Sequence, residues 1–150
     1  MIEFRLATVE HIPTVLNMME QFYAMNNYTF DRRTALRSMA SFAGDSNLGR
    51  VWVIRYDGKA VGYVVLTFGF SFEYFGYDAF VDELYVYEQY RNKGIGSAAL
   101  EFVQGQAINL GINALHLEVE PNNAAGMKLY RDHGFLEKGR IPLTKRIVYH

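Results

Sequence analysis

The sequence predicts one mixed α/β domain with a mixed central sheet and helices on both faces. Three observations carry that expectation. Two runs dense in Val, Ile and aromatics, 51–56 and 59–68, are separated only by Asp57-Gly58, the signature of a tight antiparallel hairpin. A strand, a helix and a second strand succeed one another between Ala79 and Val119, which requires a crossover and a parallel pair. An apolar stripe at helical spacing near the N-terminus supplies a layer to cover one sheet face.

Taken in order, Ile2, Phe4 and Leu6 alternate with polar residues as a short half-buried strand. Ile12, Val15, Leu16, Met19, Phe22 and Tyr23 form one helical stripe, and Pro13 sits in the first turn, where its missing N–H does least harm. Asp31 can cap a second helix to about Ala40, with Leu36 and Met39 as its apolar face. Residues 44–49 read as a loop before the hairpin. Phe70, Phe72, Tyr74, Phe75 and Tyr77 crowd a glycine-flanked connection, 69–78, and 79–86 reads as the next strand. Ile95, Ala98, Ala99 and Phe102 align on a helix that Gly111 ends. Leu115, Leu117 and Val119 alternate as a strand, 123–133 is a short helix stopped by Gly134, and 141–148 is a final strand. Residues 1–150 are read as a single domain, with no internal repeat or linker.

Composition narrows the function. The chain is 50% hydrophobic and 21% charged, which fits a folded globule and excludes a disordered one. A net charge of -1 gives no general attraction to nucleic acid or anionic membranes. The absence of cysteine excludes disulfides, thiolate metal sites and a thiol nucleophile. His11, His116, His133 and His150 have no ligand-like spacing, so no metal is expected. The N-terminus alternates like a strand and lacks a signal peptide's apolar run, and no apolar stretch approaches ~20 residues, so a cytoplasmic protein is expected.

The most informative stretch is Gln89-Tyr90-Arg91-Asn92-Lys93-Gly94-Ile95-Gly96, which leads from a strand into a helix. A helix N-terminus leaves N–H groups unpaired and carries partial positive charge. Glycines let the backbone approach a ligand closely, so such a turn binds phosphate, and Arg91 and Lys93 add charge beside it. The plainer alternative is a structural turn. The dinucleotide pattern G-x-G-x-x-G/A also matches Gly94-Ile95-Gly96-Ser97-Ala98-Ala99, with Glu118 or Glu120 about 20 residues on. Against it, residues 87–93 separate the strand from the first glycine, and only one strand–helix–strand unit is present.

These residues resemble the GNAT superfamily of acetyl-CoA-dependent N-acetyltransferases. Arg91-Asn92-Lys93-Gly94-Ile95-Gly96 matches its Q/R-x-x-G-x-G/A signature, and Asp82-Glu83-Leu84-Tyr85-Val86 is similar to its preceding strand. Asn123 and Tyr130 stand seven apart before Gly134-Phe135, as in its N-x-x-x-x-x-x-Y…GF segment. The resemblance spans nearly the whole chain and implies a mostly antiparallel mixed sheet of the acyl-CoA N-acyltransferase fold. It implies that the backbone of Leu84, Tyr85 and Val86 pairs with pantetheine like an added strand. It also implies that N–H groups of Arg91, Asn92, Lys93, Gly94, Ile95 and Gly96 hold the pyrophosphate, that Asn123 contacts the pantetheine arm or orders the site, and that Tyr130 sits near the thioester sulfur.

Acetyl transfer needs an unprotonated amine, donors for the developing oxyanion, and a proton for the leaving thiolate. Adjacent Asp82 and Glu83 point to opposite faces of an extended strand. Asp82 is favoured for binding a cationic amine and passing its proton to water; Glu83 is second, because a bulge would swap the faces. Tyr130 is the candidate acid for the thiolate, although spacing alone makes it a core residue. Asn123 also suits a helix cap. The aromatic segment 70–77 could line an acceptor pocket, form a homodimer contact or pack as core. The expected activity is acetylation of a primary amine on a small molecule. The alternatives are a lysine or N-terminal amine of a protein or peptide, and a non-catalytic acyl-CoA sensor, against which the joint presence of Asp82, Asn123 and Tyr130 argues.

Overall fold

The computed structural model describes residues 1–149. Strand β1 (Ile2–Leu6) leads into helices α1 (Ile12–Met25) and α2 (Arg32–Ala43), followed by β2 (Gly49–Tyr56), β3 (Lys59–Ser71) and β4 (Gly76–Val86). Helix α3 (Ile95–Asn109), strand β5 (Ala114–His116) and helix α4 (Ala124–Asp132) complete the regular structure. The sheet order is β1-β2-β3-β4-β5, antiparallel except for the β4–β5 pair. This is the predicted mixed, mostly antiparallel sheet.

The hairpin forms where expected: Asp57 and Gly58 both take positive φ, +49° and +82°, the turn whose twist matches the strands it joins. The sheet is then covered on both faces. On one face Val15, Leu16, Met18 and Met19 of α1 and Met39 of α2 bury against Val51, Val53, Tyr63, Val65 and Tyr85. On the other, Ile95, Ala99 and Val103 of α3 bury against Trp52, Ile54, Val61, Val64, Leu66 and Val81. The alternation of strands β2 and β3 therefore feeds two cores, which is why their sequences are nearly continuous apolar runs.

Several expectations need correction. Residues 69–78 are not a connection: β3 and β4 extend through them, pairing Gly69 with Asp78 and Phe70 with Tyr77, and the turn is confined to 72–75. The strand expected to reach Val119 ends at His116, because the chain then diverges from β4. No strand forms over 141–148, where Ile141, Leu143 and Ile147 stand in solvent. Leu36 is also exposed; α2 turns Ala35, Met39 and Phe42 to the core instead. Leu6, at the end of β1, is exposed too.

Candidate active site

The site is built from a defect in the ladder. Val65 pairs with Glu83 and Leu66 with Val81, so Asp82 is an extra residue, a bulge in β4. The bulge reverses the faces: Val81 packs in the α3 core, whereas Tyr85 lies in the α1 core and Glu83 reaches a tyrosine of α1. Beyond it β4 also loses β5. The two strands pair only through Asp78–Phe80 and Ala114–His116. From there 81–86 and 117–120 form opposite walls of a wedge. The resulting cleft encloses about 1500 Å³ and runs from α1 and α2 to the N-terminus of α3 and to α4.

Glu83 is held by two phenols. Tyr23 of α1 donates to Oε2 at 2.5 Å and Tyr63 of β3 donates to Oε1 at 2.7 Å. Burial pushes the Glu83 carboxyl above its ordinary range, the two donors pull it back down, and neighbouring Asp82 pushes it up. Burial and the Glu83 charge raise both Tyr23 and Tyr63, so both stay protonated as donors. Neither tyrosine figured in the sequence-based site. Tyr23 stood in the right helical stripe, but nothing in one sequence pairs it with a carboxylate 60 positions away. Asp82 is exposed at the cleft wall, and partial desolvation and then the Glu118 charge raise its carboxyl.

At the far end lies the turn into α3. Gly94 caps the helix with φ +78°, a left-handed conformation that side chains resist, and the space in front of its α-carbon is open. The first helical hydrogen bond runs from Ala98 N–H to the Gly94 carbonyl. Six consecutive N–H groups, from Asn92 to Ser97, thus have no acceptor among the described residues. Arg91 departs from the expected cradle: its N–H donates to the Glu88 carbonyl at 3.1 Å. Its guanidinium lies over the Tyr85 ring and donates to the Val86 carbonyl at 3.0 Å. That bond occupies the Val86 oxygen expected to pair with pantetheine. Leu84, Tyr85 and Val86 still line the cleft, as do Asn92, Gly94, Ile95 and Gly96, whereas Lys93 does not.

The third wall is α4. Asn123 is its cap, its Oδ1 accepting from Gly126 N–H at 2.9 Å, and it also lines the cleft. The Gly-Phe pair closes the helix. Gly134 takes φ +89°, its N–H reaching the Arg131 carbonyl while Phe135 N–H reaches that of Tyr130. This two-bond closure brings Phe135 against the Tyr130 ring, edge to face. The Gly-Phe pair thus packs beside Tyr130, which lines the cleft and whose hydroxyl pKa is raised by burial. Ser97 Oγ meets His133 Nε2 at 2.8 Å and ties α4 to α3. The aromatic segment 70–77 lies outside the cleft; of the nearby aromatics only Phe80 reaches it.

These features fit an acyl-CoA. A row of free N–H groups suits a pyrophosphate, a strand edge without a partner suits the pantetheine amides, and the carboxylates and Tyr130 line the same cleft. Among the described residues no helix is long and apolar enough to cross a membrane.

Comparison with known proteins agrees. The acetyltransferase (GNAT) family matches residues 15–135. A putative phosphinothricin acetyltransferase of Bacillus subtilis (strain 168) is 39% identical over 59 residues, 39% of this chain and 36% of that protein. The chain spans less than half the length of the curated relatives it matches. An integron cassette protein from the mobile metagenome of Cole Harbour Salt Marsh superposes with a TM-score of 0.88 at 34% identity, over 98% of this chain and 91% of that one. The aminoglycoside acetyltransferase AAC(6')-Iy, bound to a CoA bisubstrate analogue, shares the fold at 15% identity and a TM-score of 0.85, over 99% of each chain. With four-fifths of its length matched, this chain belongs to the GNAT acetyltransferase family.

Proposed function

We propose that residues 1–150 form one N-acetyltransferase domain that moves an acetyl group from acetyl-CoA to a primary amine of a small cationic molecule, by direct attack in a ternary complex. The observation that carries this reading is the single cleft joining the phosphate-binding turn to Asp82, Glu83 and Tyr130. Acetyl-CoA supplies the activated carbonyl and the thiol leaving group. Asn92 to Ser97 hold its pyrophosphate, and the open edge at Leu84 and Tyr85 orients the arm. Asn123 orders the α4 wall.

Asp82, open to water, binds the incoming ammonium and takes its proton before the nitrogen attacks. Glu83 fixes the negative potential of the wall, since both its oxygens are committed to tyrosines. The amine forms the new C–N bond as the C–S bond breaks; the departing sulfur receives the Tyr130 proton, and the proton that the acylated nitrogen then sheds returns through water to the Tyr130 phenolate. No cysteine is available for an acyl-enzyme, which supports direct transfer.

The AAC(6')-Iy structure carries an analogue built on acetylneamine, and an amine-bearing small molecule is the acceptor class we infer here. Cofactor and small acceptor together suit the cleft volume, since drug-sized ligands take about 300–1,000 Å³. A cytoplasmic placement is part of this reading, and the cysteine-free composition is compatible with it. Initial rates at varied concentrations of both substrates test the ordering. Intersecting double-reciprocal lines are expected, and parallel lines would sink direct attack.

A further inference from the structure

We propose that the acceptor is an unbranched aliphatic diamine or polyamine, with its reacting nitrogen at Asp82 and a second ammonium held by Glu118 and Glu120. This rests on the acetyl-transfer reading and narrows it to one substrate class. Two features of the cleft carry it: a crossbar between its walls, and acids that have no cation.

The crossbar joins residues 92 positions apart. Tyr28, in the connection between α1 and α2, donates its hydroxyl to Glu120 Oε1 at 3.1 Å, and both residues line the cleft. Its neighbours locate it. The Tyr28 ring meets the Tyr23 ring edge to face, centroids 5.9 Å apart, and Tyr23 in turn donates to Glu83. On the opposite wall, Glu118 lies close enough to Asp82 for its charge to raise that carboxyl. The bridge therefore crosses the cleft one aromatic ring away from the Asp82–Glu83 pair. An acceptor has to pass alongside it, which suits a slender chain and works against a branched ring system or a folded protein surface. Phe30 also packs edge-on against Tyr23, so the α1 side of this end is aromatic, a surface that suits methylenes and ammonium groups alike.

Charge sets the second requirement. None of the six ion pairs among the described residues involves a residue of the cleft. Asp82, Glu83, Glu118 and Glu120 thus share the cleft without a cationic partner. The two arginines that line it are engaged elsewhere. Arg91 lies over Tyr85 and donates to the Val86 carbonyl, and Arg146 donates to the Val148 carbonyl and lies over Tyr149. Glu83 commits both oxygens to tyrosines, whereas Asp82, Glu118 and the second oxygen of Glu120 are left for a ligand. Like charges held together in a partly desolvated cleft repel one another, and a ligand with two positive charges relieves that cost. An alkyl monoamine satisfies Asp82 alone.

Three acceptors test the proposal in the acetyl-CoA assay: diaminobutane, butylamine, which has the same carbon chain and one charge, and an aminoglycoside, which has several charges on branched rings. The kcat/KM for diaminobutane is expected to exceed both others by ~10-fold or more. The Glu118→Gln/Glu120→Gln variant alters two exposed positions. It is expected to lose the preference through KM, keeping kcat, the rate with butylamine and a CoA-dependent rise in melting temperature. Equal kcat/KM for diaminobutane and butylamine, preference for the aminoglycoside, or a diamine preference that survives the double variant overturns the proposal. Calorimetric titration of the amines into CoA-saturated protein separates this from a failure of the chemistry. Uptake of diaminobutane and not butylamine by a protein that acetylates neither upholds the second-ammonium site and refutes the transfer reading. Uptake of both alike, or of neither, overturns the proposal.

Discussion

Tyr63 donates its hydroxyl to Glu83 Oε1 across 2.7 Å, from a ring with no solvent exposure. Folding therefore commits a carboxylate to a half-buried position, and burial raises its pKa above that of the unfolded chain. A raised acid binds its proton more tightly when folded. Its contribution favours the fold below the ordinary carboxylate range and is lost as pH rises through the folded value. Asp82, also raised, acts with the same sign. Glu83→Gln should remove part of this dependence. Its melting temperature relative to wild type should be more favourable near ~pH 8 than near ~pH 4. A difference independent of pH would refute the assignment.

Removal of one phenol isolates the clamp. Tyr63→Phe keeps the ring and deletes the donor, leaving a buried oxygen of Glu83 with one partner fewer. Loss of a hydrogen bond to a charged group costs about 1.5–3 kcal/mol, measured as a shift in urea midpoint. An unchanged midpoint would mean that the bond contributes nothing net.

Tyr130 tests the leaving-group step. Burial holds its hydroxyl above its ordinary pKa, so it stays protonated across neutral pH and can donate. Tyr130→Phe should lower kcat by ~10²-fold, at the low end for a general acid, with CoA affinity nearly intact. Equal kcat in the two proteins would remove Tyr130 from the mechanism.

Gly94 tests the cradle. Its left-handed backbone faces open space, so Gly94→Ala adds a methyl and about 1–2 kcal/mol of backbone strain. Gly94→Glu adds a like charge where the pyrophosphate belongs. CoA should raise the melting temperature of wild type and of the Ala variant but not of the Glu variant, since a ligand stabilises only what it binds. A normal CoA shift in Gly94→Glu would contradict the location of the site.

The fold was legible wherever the code is local. The Asp57-Gly58 turn, the α1 stripe and the α3 start depend on neighbours in sequence, and all form as read. The bulge at Asp82 was only a stated alternative, because a ladder slip is set by the partner strand β3. The Tyr23 and Tyr63 clamp was illegible, since contacts across 60 and 20 positions leave no periodic trace. Residues 141–148 show the reverse case: the strand pattern is present, yet these residues join no ladder of the sheet.

The most direct test is thiol release from acetyl-CoA, read with a thiol dye that meets no cysteine in this protein. Wild type and Asp82→Asn would be compared against a panel of small di- and polyamines, aminoglycosides and peptides. Turnover is expected with a small cationic amine, with a loss of ~10²-fold or more in kcat/KM in the variant. Turnover confined to peptides, or equal rates in the two proteins, would contradict it.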